Sequence, residues 1–240
     1  MGALIQQLIR NSSFLLWHDY RSSCAKDWGG PAGLNITTYG ADLKYGGKNG
    51  LICPGTANSH IFLVDSAAVS GGWQTIGEDG DTYTLFALAR VVNGVGASGF
   101  WYSNSTYIDL RQQNASPQVP FNFGIDNSVL SFGRCIGGIG EHTDAGVTVN
   151  DATHFVSVTV NDDVVRFFID GSFISTATFT VITGDCSVST YNPCNLTIGT
   201  RTINPGIPNN WLEGSLASIG VINYNLSDTE VSKLYGELMS

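Results

Sequence analysis

The chain is short of charge. Only 13% of its 240 residues are Asp, Glu, Lys or Arg; 11 are basic, and the net charge is -9. No stretch concentrates Lys or Arg, so the clustered cations that grip a phosphate backbone are missing and nucleic acid is not expected as a direct partner. An anionic membrane surface is disfavoured for the same reason. There is also no apolar run long enough to span a bilayer, so membrane insertion is not expected. Met1 to Arg10 lacks the uninterrupted apolar core and small-residue cleavage site of a secretory signal. That leaves export without a cleaved signal, assembly inside a cell into a larger particle, or expression without a leader. Gly2 invites a myristoylation reading, but the sixth residue is Gln6, where the motif wants Ser or Thr.

Internal repeats of the solenoid or propeller kind are absent, as is any Ser/Pro-rich or charge-rich linker. The expected organisation is an N-terminal segment, residues 1–42, whose short helix packs on or extends a β-sandwich formed by residues 43–240 as one continuous domain. Cysteine is scarce and odd in number: Cys24, Cys53, Cys135, Cys186 and Cys194. Cys186 and Cys194 bracket the polar stretch Ser187 to Pro193, and a bridge closing so short a loop would stabilise by about 2–3 kcal/mol if unstrained. The alternative is that all five are reduced, small and partly buried. Sequons occur at Asn11, Asn35, Asn104, Asn114, Asn195 and Asn225; they signify glycosylation only in a secreted eukaryotic protein.

What the chain does have is strand material. Gly, Ser, Thr and Asn are abundant, and the hydrophobic fraction of 42% is ample for a continuous core. His154 to Val160 is a β-branched run, followed by the polar turn Asn161-Asp162-Asp163 and a second run, Val164 to Ile169. Asp170-Gly171 then precedes a third run, Ser172 to Ser175; this pair tolerates positive φ and favours a two-residue hairpin. Asn195 to Gly199 and Trp211 to Ile222 continue the pattern. Upstream strand candidates are Phe14 to Trp17, His60 to Val64, Trp73 to Ile76, Thr82 to Val92, Gly99 to Asp109, Val129 to Phe132 and Gly146 to Val149. Turn signals at roughly ten-residue spacing predict an all-β, antiparallel sandwich or jelly roll with short terminal helices.

Leu4, Ile5, Leu8 and Ile9 recur at helical spacing. That helix either caps an open end of the sandwich or docks onto a partner subunit. The closing helix is better signalled: Ser227 fits the N-cap and Glu230 the third helical position, with Leu226 and Val231 as a hydrophobic staple and Gly236 placed to end the helix.

The order of these runs resembles the laminin G-like branch of the concanavalin A-like lectin/glucanase superfamily. That family has a "WHHVAVTYDG" strand, a "VRLYVDG" hairpin, "LTIG", and then "FxGxIDEVRIYNRALSAEEI". The counterparts here are His154 to Val160, Val164 to Gly171, Leu196 to Gly199 and Trp211 to Glu230, while Asp81 to Arg90 is similar to the family's "FTISAWVKP". Two departures count against an inherited calcium site: Leu216-Ala217-Ser218 stands where the family has "IDE", and Ile52-Cys53-Pro54 where it has "FDG".

Glycanases on this scaffold use paired carboxylates on one strand face, often as E-x-D-x-x-E, because alternate strand residues face the same way. No such triplet occurs. The nearest approach, Glu141-His142-Thr143-Asp144, is read as a glycine-rich loop after Gly137 to Gly140, without a rigid strand to fix carboxylate separation. The chain is therefore not expected to be an enzyme. His154 falls at a paired-His position of the family and is expected to be half-buried and hydrogen-bonded. Glu78-Asp79-Gly80-Asp81 is the densest run of oxygen ligands, and Asp79 with Asp81 is the candidate calcium site, against a solvated turn. Sugar-binding candidates are tryptophans with polar neighbours: Trp101-Tyr102 beside Asn104, Trp73 near Gln74, and Trp211 after Asn209-Asn210. Core packing competes at each tryptophan.

These features predict a non-catalytic structural or binding module, displayed on a virion surface or outside the cell. The main reading is a virion component such as a phage capsid decoration or tail protein, docking onto other virion or surface proteins and forming homo-oligomers. The alternative is a glycan-binding lectin or adhesin.

Overall fold

The computed structural model describes residues 1–22, 36–39, 41–56, 61–65, 76–77, 80–92, 105–112, 119–136, 139–149, 151–180, 194–203, 207–209 and 211–240. Helix α1, Ala3–Arg10, opens the chain, followed by β1 Phe14–Asp19, β2 Ile36–Tyr39, β3 Lys44–Tyr45, β4 Leu51–Pro54 and β5 Ile61–Asp65. The middle runs through β6 Thr82–Val91, β7 Ser105–Gln112, β8 Val119–Asp126, β9 Val129–Ile136, β10 Ile139–Thr148 and β11 Thr153–Asn161. The last third holds β12 Val164–Ile169, β13 Ser172–Thr178, β14 Cys194–Ile198, β15 Arg201–Ile203, β16 Ile207–Asn209, β17 Glu213–Ile222 and helix α2, Asp228–Met239.

Two antiparallel sheets form the sandwich. The front sheet has the order β13-β12-β11-β6-β17-β4-β3, with β1 also paired to β17; the back sheet has the order β10-β9-β8-β7-β14-β5-β2. Between them lies one core to which both sheets contribute, including Tyr83, Leu85, Phe121, Phe123, Phe132 and Val158. Alternation produces this: β4 reads buried, exposed, buried, exposed from Leu51 to Pro54. The fold is thus the antiparallel sandwich that the strand spacing predicts.

The hairpins follow from local chemistry. Asp170 and Gly171 carry φ of 50° and 74°, and Asp162 one of 57°, so both turns are of the left-handed kind that suits twisted strands. Asp170 adds a further lock, accepting from the Phe155 N–H at 3.0 Å and meeting His154 Nδ1 at 2.7 Å. His154 is accordingly half-buried and hydrogen-bonded.

A second apolar layer covers the outer face of the front sheet. Leu4, Ile5 and Leu8 of α1 and Val231, Leu234 and Leu238 of α2 pack over Trp17, Phe86, Leu88, Phe155 and Phe168. Helix α1 thus covers a sheet face and does not close an open end. The two helices are clasped by one side chain: Glu237 of α2 accepts the Leu4 and Ile5 N–H groups, each at 2.8 Å. These are donors that the first turn of a helix leaves without internal partners. Arg21, paired with Asp19 at 2.6 Å, donates to the carbonyl of Leu238, the residue next to Glu237.

At the start of α2, Ser227 and Glu230 form the capping box, and Leu226 and Val231 are both buried. Gly236 departs from expectation. The helix runs through it to Met239, because Leu238 on the next turn is buried against the sheet and tertiary packing outweighs the cost of one interior glycine. Two segments differ as well. Glu141 to Asp144 lies in strand β10, paired residue by residue with Arg134 to Ser131. Strand β8 forms despite Pro120 and Gly124, with its register shifting between Val119 and Asn122 so that Pro120 falls in the irregularity.

Candidate functional site

The helices cover only part of the front sheet's outer face. Where they stop, cross-strand register lines up one residue from each of five strands. Lys44 pairs with Ile52, Ile52 with Ser215, Ser215 with Arg90, and Arg90 with Thr153. Ile52, Ser215 and Arg90 have inward-facing neighbours such as Leu51, Cys53, Ala89, Val91 and Leu216, so alternation turns them outward; Lys44 and Thr153, paired opposite Ile52 and Arg90, share that face and are exposed. Two residues further along the same face come Leu88 and Phe155, which the helices bury. The row Lys44–Ile52–Ser215–Arg90–Thr153 is therefore the edge of an uncovered strip.

The strip mixes apolar floor with hydrogen-bonding groups. Ile52 is 40% exposed. Arg90 is held in place by the Asp151 carbonyl, to which its Nε donates at 2.6 Å, while its terminal nitrogen lies 3.7 Å from the Asp151 carboxylate. Roughly half of the Arg90 side chain stays open to solvent. Leu212 is fully buried, and Trp211 before the strand and Glu213 at its start are both half-buried. The indole N–H of Trp211 is sealed from solvent and has no hydrogen-bond partner among the described residues, an uncommon state for a tryptophan. Backbone bonds from the Leu212 N–H to Gly199, and from the Gly199 N–H to Tyr107, tie this end of the front sheet to the back sheet.

Of the residues singled out by sequence, Trp211 is half-buried and lies two residues before the start of β17. Trp73, Trp101, Tyr102, Asn104, Asp79 and Cys186 lie outside the described residues, as does the Cys194 side chain, although its backbone is in β14. Asp81 is described. One of its oxygens pairs with Arg134 at 3.1 Å, and the other accepts the Gly77 N–H. Arg134 is itself buried, with Asp163 4.0 Å away and the Tyr83 and Phe179 rings beneath its guanidinium. Burial pushes the Asp81 carboxyl up to about 6, against the pull of Arg134. Asp81 thus joins the front sheet to Arg134 of the back sheet. Among the described residues no group of three or more His, Cys, Asp or Glu could hold a metal ion.

The carboxylates of β10 do not form a pair. Glu141 and Asp144 are three positions apart in a regularly paired stretch and so face opposite ways. Glu141 accepts from the Thr180 N–H at 3.0 Å, and Asp144 from Gly146 at 2.8 Å. Cys53, the free cysteine among the described side chains, is buried. Its thiol is pushed up to about 12 by burial, so it stays protonated and inert.

The fold is an antiparallel β-sandwich. It is similar to the botulinum neurotoxin type C structure whose cell entry depends on two ganglioside molecules, with TM-score 0.65, 14% identity, and coverage of 98% of this chain and 53% of that one. It is similar to the binding domain of paraclostridial mosquitocidal protein 1, with TM-score 0.63, 14% identity and coverage of 96% and 53%. It is also similar to domain 4 of an extracellular arabinanase from Geobacillus stearothermophilus, solved with arabinotriose, with TM-score 0.60, 13% identity and coverage of 93% and 98%. The chain spans about half the length of the toxin chains but nearly all of the arabinanase domain. No family model and no curated protein matches the sequence. Identities this low show the sandwich fold and not the laminin G-like branch.

The five-residue row was not visible in the sequence. Its members come from five separated strands, and none carries a local motif; only the register of the folded sheet brings them together.

Proposed function

We propose that this chain is a non-catalytic carbohydrate-binding module that acts outside the cell and holds its ligand on the uncovered strip. The observation that carries this reading is the outward-facing row Lys44–Ile52–Ser215–Arg90–Thr153. It combines the apolar Ile52 with the hydrogen-bonding groups of Lys44, Ser215, Thr153 and an Arg90 held in place by Asp151, the mixture that a sugar's C–H faces and hydroxyls require. The likeness to an arabinanase domain solved with arabinotriose, over nearly the full length of both chains, supports the same reading. So does the ganglioside dependence of the botulinum neurotoxin. The separation of Glu141 from Asp144 argues against glycan cleavage by that pair. Nothing in the comparisons supports a virion component, and the carbohydrate reading replaces it as the favoured one.

The test is glycan-array binding by the whole chain, with calcium and with EDTA, repeated with Trp211→Ala and Arg90→Ala. Specific binding that both substitutions weaken is the expected result. Sensitivity to EDTA would return Asp79 and Asp81 to consideration as a metal site, and a blank array under both conditions would sink the carbohydrate reading.

A further inference from the structure

We propose, building on the carbohydrate reading, that the strip takes an internal segment of a linear polysaccharide lying across the strands, and not a terminal sugar. The row crosses β3, β4, β17, β6 and β11 in sheet order. Four strand spacings make it about 19 Å long, enough for several sugar rings end to end. Along that length the row offers the Lys44 ammonium, the Ile52 floor, the Ser215 hydroxyl, the Arg90 guanidinium and the Thr153 hydroxyl, one residue per strand. A repeated, shallow set of contacts suits a repeating ligand.

Both ends of the row are open among the described residues. At one end, β3 is the last strand of the sheet, so Lys44 stands at its edge. At the other, β12 ends at Ile169, opposite Val156, and no strand continues beside Thr153. Recognition of a chain terminus needs a wall against which the last sugar stops, and among the described residues the row has none. Asp151, whose carbonyl orients Arg90, exposes 76% of its side chain beside the row, where its carboxylate can accept from a passing hydroxyl without blocking the path.

The test is calorimetric titration of the full chain with linear oligosaccharides of one to six units from arabinan, xylan, cellulose, chitin and homogalacturonan. Affinity in at least one series is expected to rise tenfold or more between the dimer and the longer members and then level off. Arg90→Ala, in the body of the row, weakens binding at every length, whereas Lys44→Ala, at its edge, weakens the hexamer more than the dimer. Thermal unfolding confirms that both surface variants remain folded. If a mono- or disaccharide binds as tightly as its hexamer, end recognition operates; the inference is then overturned while carbohydrate binding stands. If no series binds and the array is blank, the carbohydrate reading and this inference fall together.

Discussion

Glu237→Ala tests whether one carboxylate holds the two helices together. Glu237 accepts two N–H groups of α1, from Leu4 and Ile5, at 2.8 Å each in a partly buried setting. Hydrogen bonds to a charged group contribute about 1.5–3 kcal/mol each, and loss of a helix cap costs about 1 kcal/mol. Water recovers part of the two bonds, so the net loss is expected at about 2–3 kcal/mol. That is too little to free the helix, because burial of Leu4, Ile5 and Leu8 contributes about 1.5–3 kcal/mol per side chain. The variant should therefore unfold at lower urea with an unchanged slope, while the Leu4 and Ile5 amides exchange faster than those of β6 and β11. Glu237→Gln keeps one acceptor and should lose about half as much. Gly2→Ala places a Cβ 2.0 Å from the Glu237 carboxyl carbon, so it displaces the same group and should cost little more once Glu237 is already alanine. A Glu237→Ala protein with unaltered amide exchange and a stability change below about 0.5 kcal/mol would show that α1 is held by packing alone.

Other outcomes follow from single positions. Gly236 is exposed within α2 and an added Cβ meets nothing within 4 Å, so Gly236→Ala should stabilise by about 0.5–1 kcal/mol in urea unfolding. Ser227→Ala removes half of the capping box and should destabilise by about 1 kcal/mol in the same assay. Gly214 has φ of 145°, and its Cβ would lie 1.9 Å from the Arg90 carbonyl oxygen; Gly214→Ala should cost more than about 3 kcal/mol or abolish soluble expression. Asp81 is pushed from 3.8 up to about 6, so between those values the folded chain binds more protons at this site than the unfolded chain. Its contribution to stability is then greatest in acid and declines as pH rises through that window. Subtracting the stability-versus-pH curve of Asp81→Asn from that of the parent should isolate this slope, and a difference curve that rises with pH would refute the assignment.

The parts of the fold that could be read from sequence are those whose determinants are close in the chain. Asp170-Gly171 dictates its own turn, and Ser227 with Glu230 marks a helix start within four residues. Strand β10 was hidden because its glycines imitate a loop, and β8 because Pro120 is rare inside a central strand; cross-strand pairing decides both. Gly236 failed as a stop signal because the buried Leu238 lies beyond it. Arg90 and Ile52 carried no signal, since neither residue differs locally from dozens of ordinary surface positions.

The Glu237 clasp has a mechanical consequence. It joins a point three residues from the last residue, Ser240, to a point three residues from Met1. Tension applied between the two ends therefore loads α1 against α2 before it reaches either sheet, and the clasp acts as the first fuse. Behind it, β1 and β17 lie side by side in antiparallel register, so further pulling would peel the front sheet open strand by strand. A ligand bound on the strip as proposed would carry load along another path, entering through β3, β4, β17, β6 and β11 together.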